Sequence, residues 1–150
     1  MIRIISIGKL SSNKSLHEIF QSYQKMVGWK IEVIELEVKK KLSLEELKNA
    51  EAELILDKVR VGQLNVILEE AGKEYTSPEF AKFIKKLELS AKDINFIIGG
   101  AYGLAQEIRE KADYTLSLSQ MTFPHLFAKV MLIEQIYRAQ SILANHPYHK

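Results

Sequence analysis

The sequence contains no cysteine, which excludes disulfides, thiol nucleophiles and iron–sulfur ligation and fits a reducing, cytoplasmic setting. Its four histidines have no thiolates to join them, and a zinc centre needs three or four ligands, so no metal site is expected even though His146 and His149 lie close together. No apolar run approaches the roughly 20 residues of a membrane span. The opening Met-Ile-Arg-Ile-Ile-Ser-Ile-Gly lacks the basic lead and long apolar stretch of a secretory leader, so no membrane association is expected. An excess of one charge is missing as well. Lys and Arg number 21 against 19 Asp and Glu, for a net charge of +2, well short of a protein that holds naked nucleic acid by charge alone. There is no repeat, linker or low-complexity stretch, and the 150 residues read as one domain, long enough to bury about two-thirds of its unfolded surface.

What is present is an alternation of short β-branched runs and amphipathic stretches. Ile2 to Ile7, closed by Gly8, reads as a buried strand. Leu16, Ile19, Phe20, Tyr23 and Val27 recur at helical spacing over about 13–26, with Ser12, Asn13 or Ser15 as N-cap and Gly28 as the stop. Trp29 to Val38 suits a second strand with one wetter face. Ser43-Leu-Glu-Glu46 has the spacing of a capping box, and a helix is expected from there to about Val61. Strands are expected at 65–68, 94–98 and 114–118. A helix starts at Ser77-Pro78, where proline's missing N–H costs nothing, a short one ends near Lys111, and a long one runs from Pro124 to about Leu143. Such alternation predicts an α/β fold with a mostly parallel sheet and helices on both faces. The last helix carries Leu126, Val130, Ile133 and Tyr137 on one stripe and Phe127, Met131 and Ile142 beside it. That is wider than one core-facing stripe needs, and it fits either a symmetric dimer face or a centrally packed helix.

Ligands in such sheets bind outside the carboxyl ends of strands. Three of these ends stand out: Leu68 with Glu69 and Glu70; Gly99-Gly100-Ala101-Tyr102-Gly103; and Ser117 to His125. The glycines allow a backbone to approach a ligand closely, but their spacing is not that of a dinucleotide fingerprint. The third segment mixes hydroxyls, Met121 and Phe123 ahead of Pro124, a composition suited to an apolar pocket for adenine or a thioether as well as to an ordinary loop. His125, near a helix N-terminus, is expected to be neutral. The terminus Asn145-His146-Pro147-Tyr148-His149-Lys150 carries rings and proton-transfer groups where small polar spacers are usual, and reads as a segment that docks.

Taken together, these blocks carry a resemblance. The Gly99-Gly100-x-x-Gly103 turn, the run from Leu116 through Thr122-Phe123-Pro124-His125, the block Ile133-Glu134-Gln135-Ile136-Tyr137-Arg138-Ala139 and the terminal Tyr148-His149-Lys150 closely resemble the RlmH family of ribosomal RNA large-subunit methyltransferases. The match extends from Ile7-Gly8-Lys9 to the tail. It departs from the family pattern at Ala101-Tyr102 and at Lys129, where an arginine is usual.

The resemblance implies a SPOUT-type domain over residues 1–150 with a C-terminal trefoil knot, which general topology rules would not suggest. It implies a cytoplasmic homodimer that uses S-adenosylmethionine to methylate N3 of a pseudouridine in a hairpin loop, helix 69, of 23S rRNA in the assembled ribosome. Cofactor contacts would fall on Leu68, Gly99, Gly100, Leu118, Ser119, Gln120, Met121, Thr122 and Phe123. Catalytic or substrate-positioning roles would pass to Arg138, Tyr148 and His149: His149 or Tyr148 to orient or deprotonate the base, Arg138 to hold its oxygens or a phosphate. The tail would act in its own subunit or across the dimer. Lys39 to Lys41, Lys129 and Lys150 are candidate phosphate contacts. A catalytically inactive ribosome- or RNA-binding module is the alternative; a nucleotide- or flavin-binding protein ranks below it, for want of glycine or phosphate motifs.

Overall fold

The computed structural model describes residues 1–150. Strand β1 (Ile2–Ile7) is followed by a short 3-10 turn at Leu10–Ser12 and by α1 (Lys14–Met26). Then come β2 (Ile31–Leu36), α2 (Leu44–Lys58), β3 (Leu64–Glu74), α3 (Ser77–Glu88), β4 (Ile94–Ile98), α4 (Gln106–Glu110), β5 (Tyr114–Ser117) and α5 (His125–Leu143). The sheet has the order β2-β1-β4-β3-β5, and every pairing is parallel. Parallel strands need crossovers, and the helices that make them cover both faces of the sheet. One apolar cluster joins Ile2, Ile4 and Phe96 to Phe20 of α1, Phe80 and Ile84 of α3 and Ile133 and Ile136 of α5. The other joins Ile5, Ile67 and Ile97 to Ile55 of α2 and Ile108 of α4.

Local chemistry sets the helix starts. Asn13 caps α1 by accepting from the Leu16 N–H, and both Ser43/Glu46 and Thr76/Glu79 form complete capping boxes at α2 and α3. Helix α2 stops at Lys58, short of Val61, because Val59 turns extended and its N–H closes onto the Leu56 carbonyl. Gly62, at φ +86°, then carries the tight turn into β3.

One departure from the sequence reading, in β3, and one choice between its alternatives, in α5, shape the site. Strand β3 does not end at Leu68. It bulges and resumes its pairing with β5, so that Leu68 and Lys73 both stand opposite Leu116. Helix α5 lies between α1 and α3, with Val130, Leu132, Ile133, Ile136 and Ala139 all buried. Its wide apolar surface is thus largely that of a centrally packed helix, with Phe127 and Met131 left 50% and 43% exposed.

Candidate active site

The bulge of β3 after Leu68 and the carboxyl ends of β4 and β5 open into a cleft of about 800 Å³. Its floor is one row of the sheet: Ile98 pairs with Leu68, and Leu68 with Leu116. Glu69 to Ala71, the turn Gly99 to Gly103 and the segment Leu118 to Ala128 supply the walls. Apolar side chains at the base with Glu69, Glu70, Ser119, Thr122 and His125 among the walls make the mixed lining expected of a site for a small organic ligand. Arg109 of α4 reaches across one side, its Nε 2.8 Å from Glu69 Oε2. Of the residues expected to hold a cofactor, Leu68, Gly99, Gly100, Leu118, Ser119, Met121, Thr122 and Phe123 all line this cleft. Gln120 is exposed and outside it.

Close packing explains the glycines. A Cβ on Gly99 would stand 2.9 Å from Leu104 Cδ2, and one on Gly100 would stand 2.6 Å from Glu51 Oε1. The Gly103 N–H closes the turn on the Gly100 carbonyl at 3.1 Å, with Gly103 at φ +77°. Glu51 lies behind this turn on α2, 8% exposed. Burial holds its carboxyl above the usual range, opposed by a hydrogen bond from the Gly100 N–H and by the charge of Lys48.

At the other side of the row, Ile98 pairs with Ser6 and Ser6 with Glu35. Here α5 contributes Lys129, fully buried, whose Nζ donates to Glu35 Oε1 at 2.7 Å and to the Gly8 carbonyl at 2.9 Å. Burial lowers its pKa, and Glu35 opposes the shift. Glu35 also accepts the Leu10 N–H at 2.9 Å. The expectation that Lys129 contacts phosphate is therefore corrected: the ammonium joins helix to sheet in the interior. One turn earlier on α5, His125 lines the cleft and packs against Gly8. Burial and then the Lys129 charge hold it below its usual pKa, which favours the neutral ring.

The tail folds back onto the opposite end of α5. Arg138 Nη2 donates to Glu134 Oε1 at 2.6 Å and its Nε donates to the same oxygen at 3.0 Å. Tyr148 OH also donates to that oxygen, at 2.9 Å. The Arg138 guanidinium lies 4.7 Å from the centroid of the Tyr148 ring and its Nη1 is 3.3 Å from His149 Nδ1. Arg138, Tyr148 and His149 are thus brought together with one another but do not line the cleft of their own chain. Ala128 of the cleft and Arg138 of this cluster are separated by about 15 Å along the helix axis.

A family model described as "Predicted SPOUT methyltransferase" matches residues 1–149. Ribosomal RNA large subunit methyltransferase H of Rhodospirillum centenum is 44% identical over 134 residues, 89% of this chain and 88% of its own. The proteins of that name from Clostridium perfringens strain 13 and Caldicellulosiruptor bescii are 41% and 38% identical, over at least 99% of both chains in each pair. The chain belongs to this methyltransferase H family of SPOUT proteins. A solved structure, that of a probable methylase family protein from Haemophilus influenzae Rd KW20, has the same fold with a TM-score of 0.60 at 17% identity, covering 99% of this chain and 70% of that one.

For this SPOUT family member, sequence reasoning located all three segments of the cleft, the one after Leu68 being a bulge rather than a strand end, but missed partners that come from elsewhere. Arg109 and Glu51 carry no local motif. Glu134 did carry a signal, its spacing of four from Arg138 on one helix face. Among the chain's acidic residues and histidines no group of three could hold a metal, and no helix is long and apolar enough to cross a membrane.

Proposed function

We propose that this chain is the S-adenosylmethionine-dependent methyltransferase of its family, acting on N3 of a pseudouridine in the helix 69 hairpin loop of 23S rRNA in the assembled ribosome. The observation that carries this reading is the glycine-lined cleft at the β3 bulge and the ends of β4 and β5, in a chain similar over its whole length to proteins named for rRNA methylation. A ribosomal substrate places the reaction in the cytoplasm, with residues 1–150 as one catalytic domain.

The residues present fit the cofactor. Gly99 and Gly100 let the turn pack directly against Leu104 and Glu51 beside the cleft, and Leu68, Ile98 and Leu116 offer an apolar base to an adenine ring. Ser119, Met121 and Thr122 line the rim in a loop braced by the Ser117 hydroxyl on the Ser119 carbonyl and the Met121 N–H on Ser119 Oγ, and the Glu70 carboxylate is available to an ammonium group. When bound, S-adenosylmethionine supplies a methyl group activated by its sulfonium. The chain's work is to align the attacking nitrogen with that carbon, which accounts for much of the rate in such displacements, and to stabilise the negative charge left when N3 loses its proton.

Arg138, Tyr148 and His149 are the proposed substrate-facing groups. Their distance from the cleft along α5 supports a site completed across a homodimer, with the tail of one subunit over the cleft of the other. The exposed Phe127 and Met131 on α5 supply apolar surface for such a contact. The C-terminal segment is proposed to be knotted. Support comes from the family likeness over residues 1–149. Lys39 to Lys41, all exposed at the carboxyl end of β2, are proposed phosphate contacts, as is the exposed Lys150.

Calorimetric titration with S-adenosylmethionine, followed by incubation of ribosomes with the methyl-labelled cofactor, tests the reading. Binding with label recovered in 23S rRNA is expected. Binding without transfer would instead make the chain an inactive ribosome-binding module.

A further inference from the structure

We infer that Glu134 is the positioning residue of the C-terminal tail, and that the tail it organises is an array of hydrogen-bond donors for an anionic base, with no general base in it. The inference rests on the methyl-transfer reading above. Glu134 Oε1 accepts from Arg138 Nε at 3.0 Å, Arg138 Nη2 at 2.6 Å and Tyr148 OH at 2.9 Å. Its Oε2 accepts from Gln135 Nε2 at 2.7 Å, and Gln135 Oε1 in turn accepts from Ser77 Oγ of α3 at 2.8 Å. One carboxylate, 12% exposed, thus holds both the guanidinium and the tail, against a neighbour anchored on another helix.

The proton inventory of the cluster follows from what each group can do. Guanidinium only donates, so in its contact with Arg138 Nη1 the Nδ1 of His149 accepts. The proton of the neutral ring then sits on Nε2, and no lone pair is left over. Carboxylate only accepts, so the single Tyr148 proton goes to Glu134, and the Tyr23 hydroxyl, 3.2 Å away, donates to Tyr148. Burial first, then the hydrogen bonds with Tyr23 and Glu134, push the Tyr148 phenol well above its usual range. The other rings packed around it are Tyr137 of α5 and His146, whose Nδ1 accepts the Tyr148 N–H. What the cluster still offers a ligand is the His149 Nε2–H and the unused N–H groups of Arg138.

Such an array matches a uracil-type imide that has already lost its proton. Solvent hydroxide takes the N3 proton and becomes water, and the electron pair stays on the ring, spread over its two carbonyl oxygens. That pair then forms the N–CH3 bond while the S–CH3 pair returns to sulfur. Donors facing the carbonyl oxygens favour the anion and leave the nitrogen free to attack.

The test uses the full chain with ribosomes and separates kcat, KM and cofactor affinity in E134Q, E134A and E134D. The expected result is a fall in kcat of tenfold or more in E134Q and E134A, with partial recovery in E134D. Cofactor affinity should be unchanged, since both Glu134 oxygens are already engaged by Arg138, Tyr148 and Gln135. E134Q preserves size, so it decides the matter if E134A fails to fold. The pH–rate profile should rise along one limb until the imide itself ionises, and H149Q should lower the whole line without changing its shape. Wild-type kcat in E134Q, or an inflection in the wild-type profile that H149Q abolishes, would overturn the inference while leaving the methyltransferase reading intact. A wild-type chain that transfers no methyl group would overturn both.

Discussion

The imidazole of His125 fills the space in which a side chain on Gly8 would begin: a Cβ at Gly8 would stand 2.8 Å from His125 Cδ2 and closer still to Nε2. Gly8 ends β1 at φ +87°, its N–H bonded to the Leu36 carbonyl and its own carbonyl to Lys129. His125 lines the cleft. A change at the first strand end therefore reaches the cleft through one ring.

Gly8→Ala should cost about 1–3 kcal/mol from the left-handed backbone alone, and somewhat more from displacement of the ring. The expected outcome is a melting midpoint lower by several degrees and a weaker affinity for S-adenosylmethionine. Unchanged affinity together with lowered stability would show that His125 does not shape the cleft.

Lys129→Met removes the donor to the Gly8 carbonyl and leaves Glu35 with the Leu10 N–H. Breaking a fully buried pair costs about 3–5 kcal/mol; the Glu35 side chain is 26% exposed, so about 2 kcal/mol is expected, a drop in melting midpoint of roughly 4–8 °C. The salt dependence of ribosome methylation should not change. Replacing Lys39, Lys40 and Lys41 by Gln should leave stability alone and flatten that dependence, by about 0.7–0.9 in the logarithmic slope per lost phosphate contact. The reverse pattern would return Lys129 to the RNA-binding surface.

His125 also gives a pH signature. Burial and the Lys129 charge lower its pKa in the fold, so the unfolded chain binds more protons between the folded value and the ordinary one near ~6.5. The contribution of this ring therefore favours the fold above that window and is lost as pH falls through it. Glu51 acts in the opposite sense, because burial raises its carboxyl and acid relieves the penalty. Comparing wild type with H125Q cancels the Glu51 effect. Between about pH 7 and about pH 5 the difference in melting midpoints should move in favour of H125Q, and a constant difference would contradict the assignment.

Because the cleft and the tail cluster stand at opposite ends of α5, a chain with a defective cleft and a chain with a defective tail should complement each other. Mixed dimers of Gly100→Leu and His149→Ala chains are expected to recover methyl transfer that neither homodimer shows. If the mixture stays inactive while forming mixed dimers, the tail serves its own subunit.

Much of this arrangement was legible from local chemistry. The Ser43/Glu46 box, Pro78 inside the first turn of α3 and the glycines after Ile98 each follow from backbone needs that a sequence displays directly. The rest depended on distant partners. Glu69 to Glu74 is polar and reads as a loop, and pairing of Lys73 and Glu74 with Leu116 and Ser117 of β5 makes it strand. A lysine on a helix reads as solvated, and only the approach of Glu35 and the Gly8 carbonyl makes a buried Lys129 tolerable. Arg138, Tyr148 and His149 are legible as a set, whereas Glu134, whose spacing announces only its pairing with Arg138, also accepts from Tyr148 once the tail returns to α5.

The most direct test of the function is nucleoside mapping by mass spectrometry of 23S rRNA from ribosomes that lack the modification, incubated with the chain and S-adenosylmethionine. The account predicts one added methyl group, on N3 of a pseudouridine in the helix 69 loop, and none when the cofactor is omitted. A methyl group on another atom or another loop, or unmodified rRNA despite demonstrated cofactor binding, would contradict it.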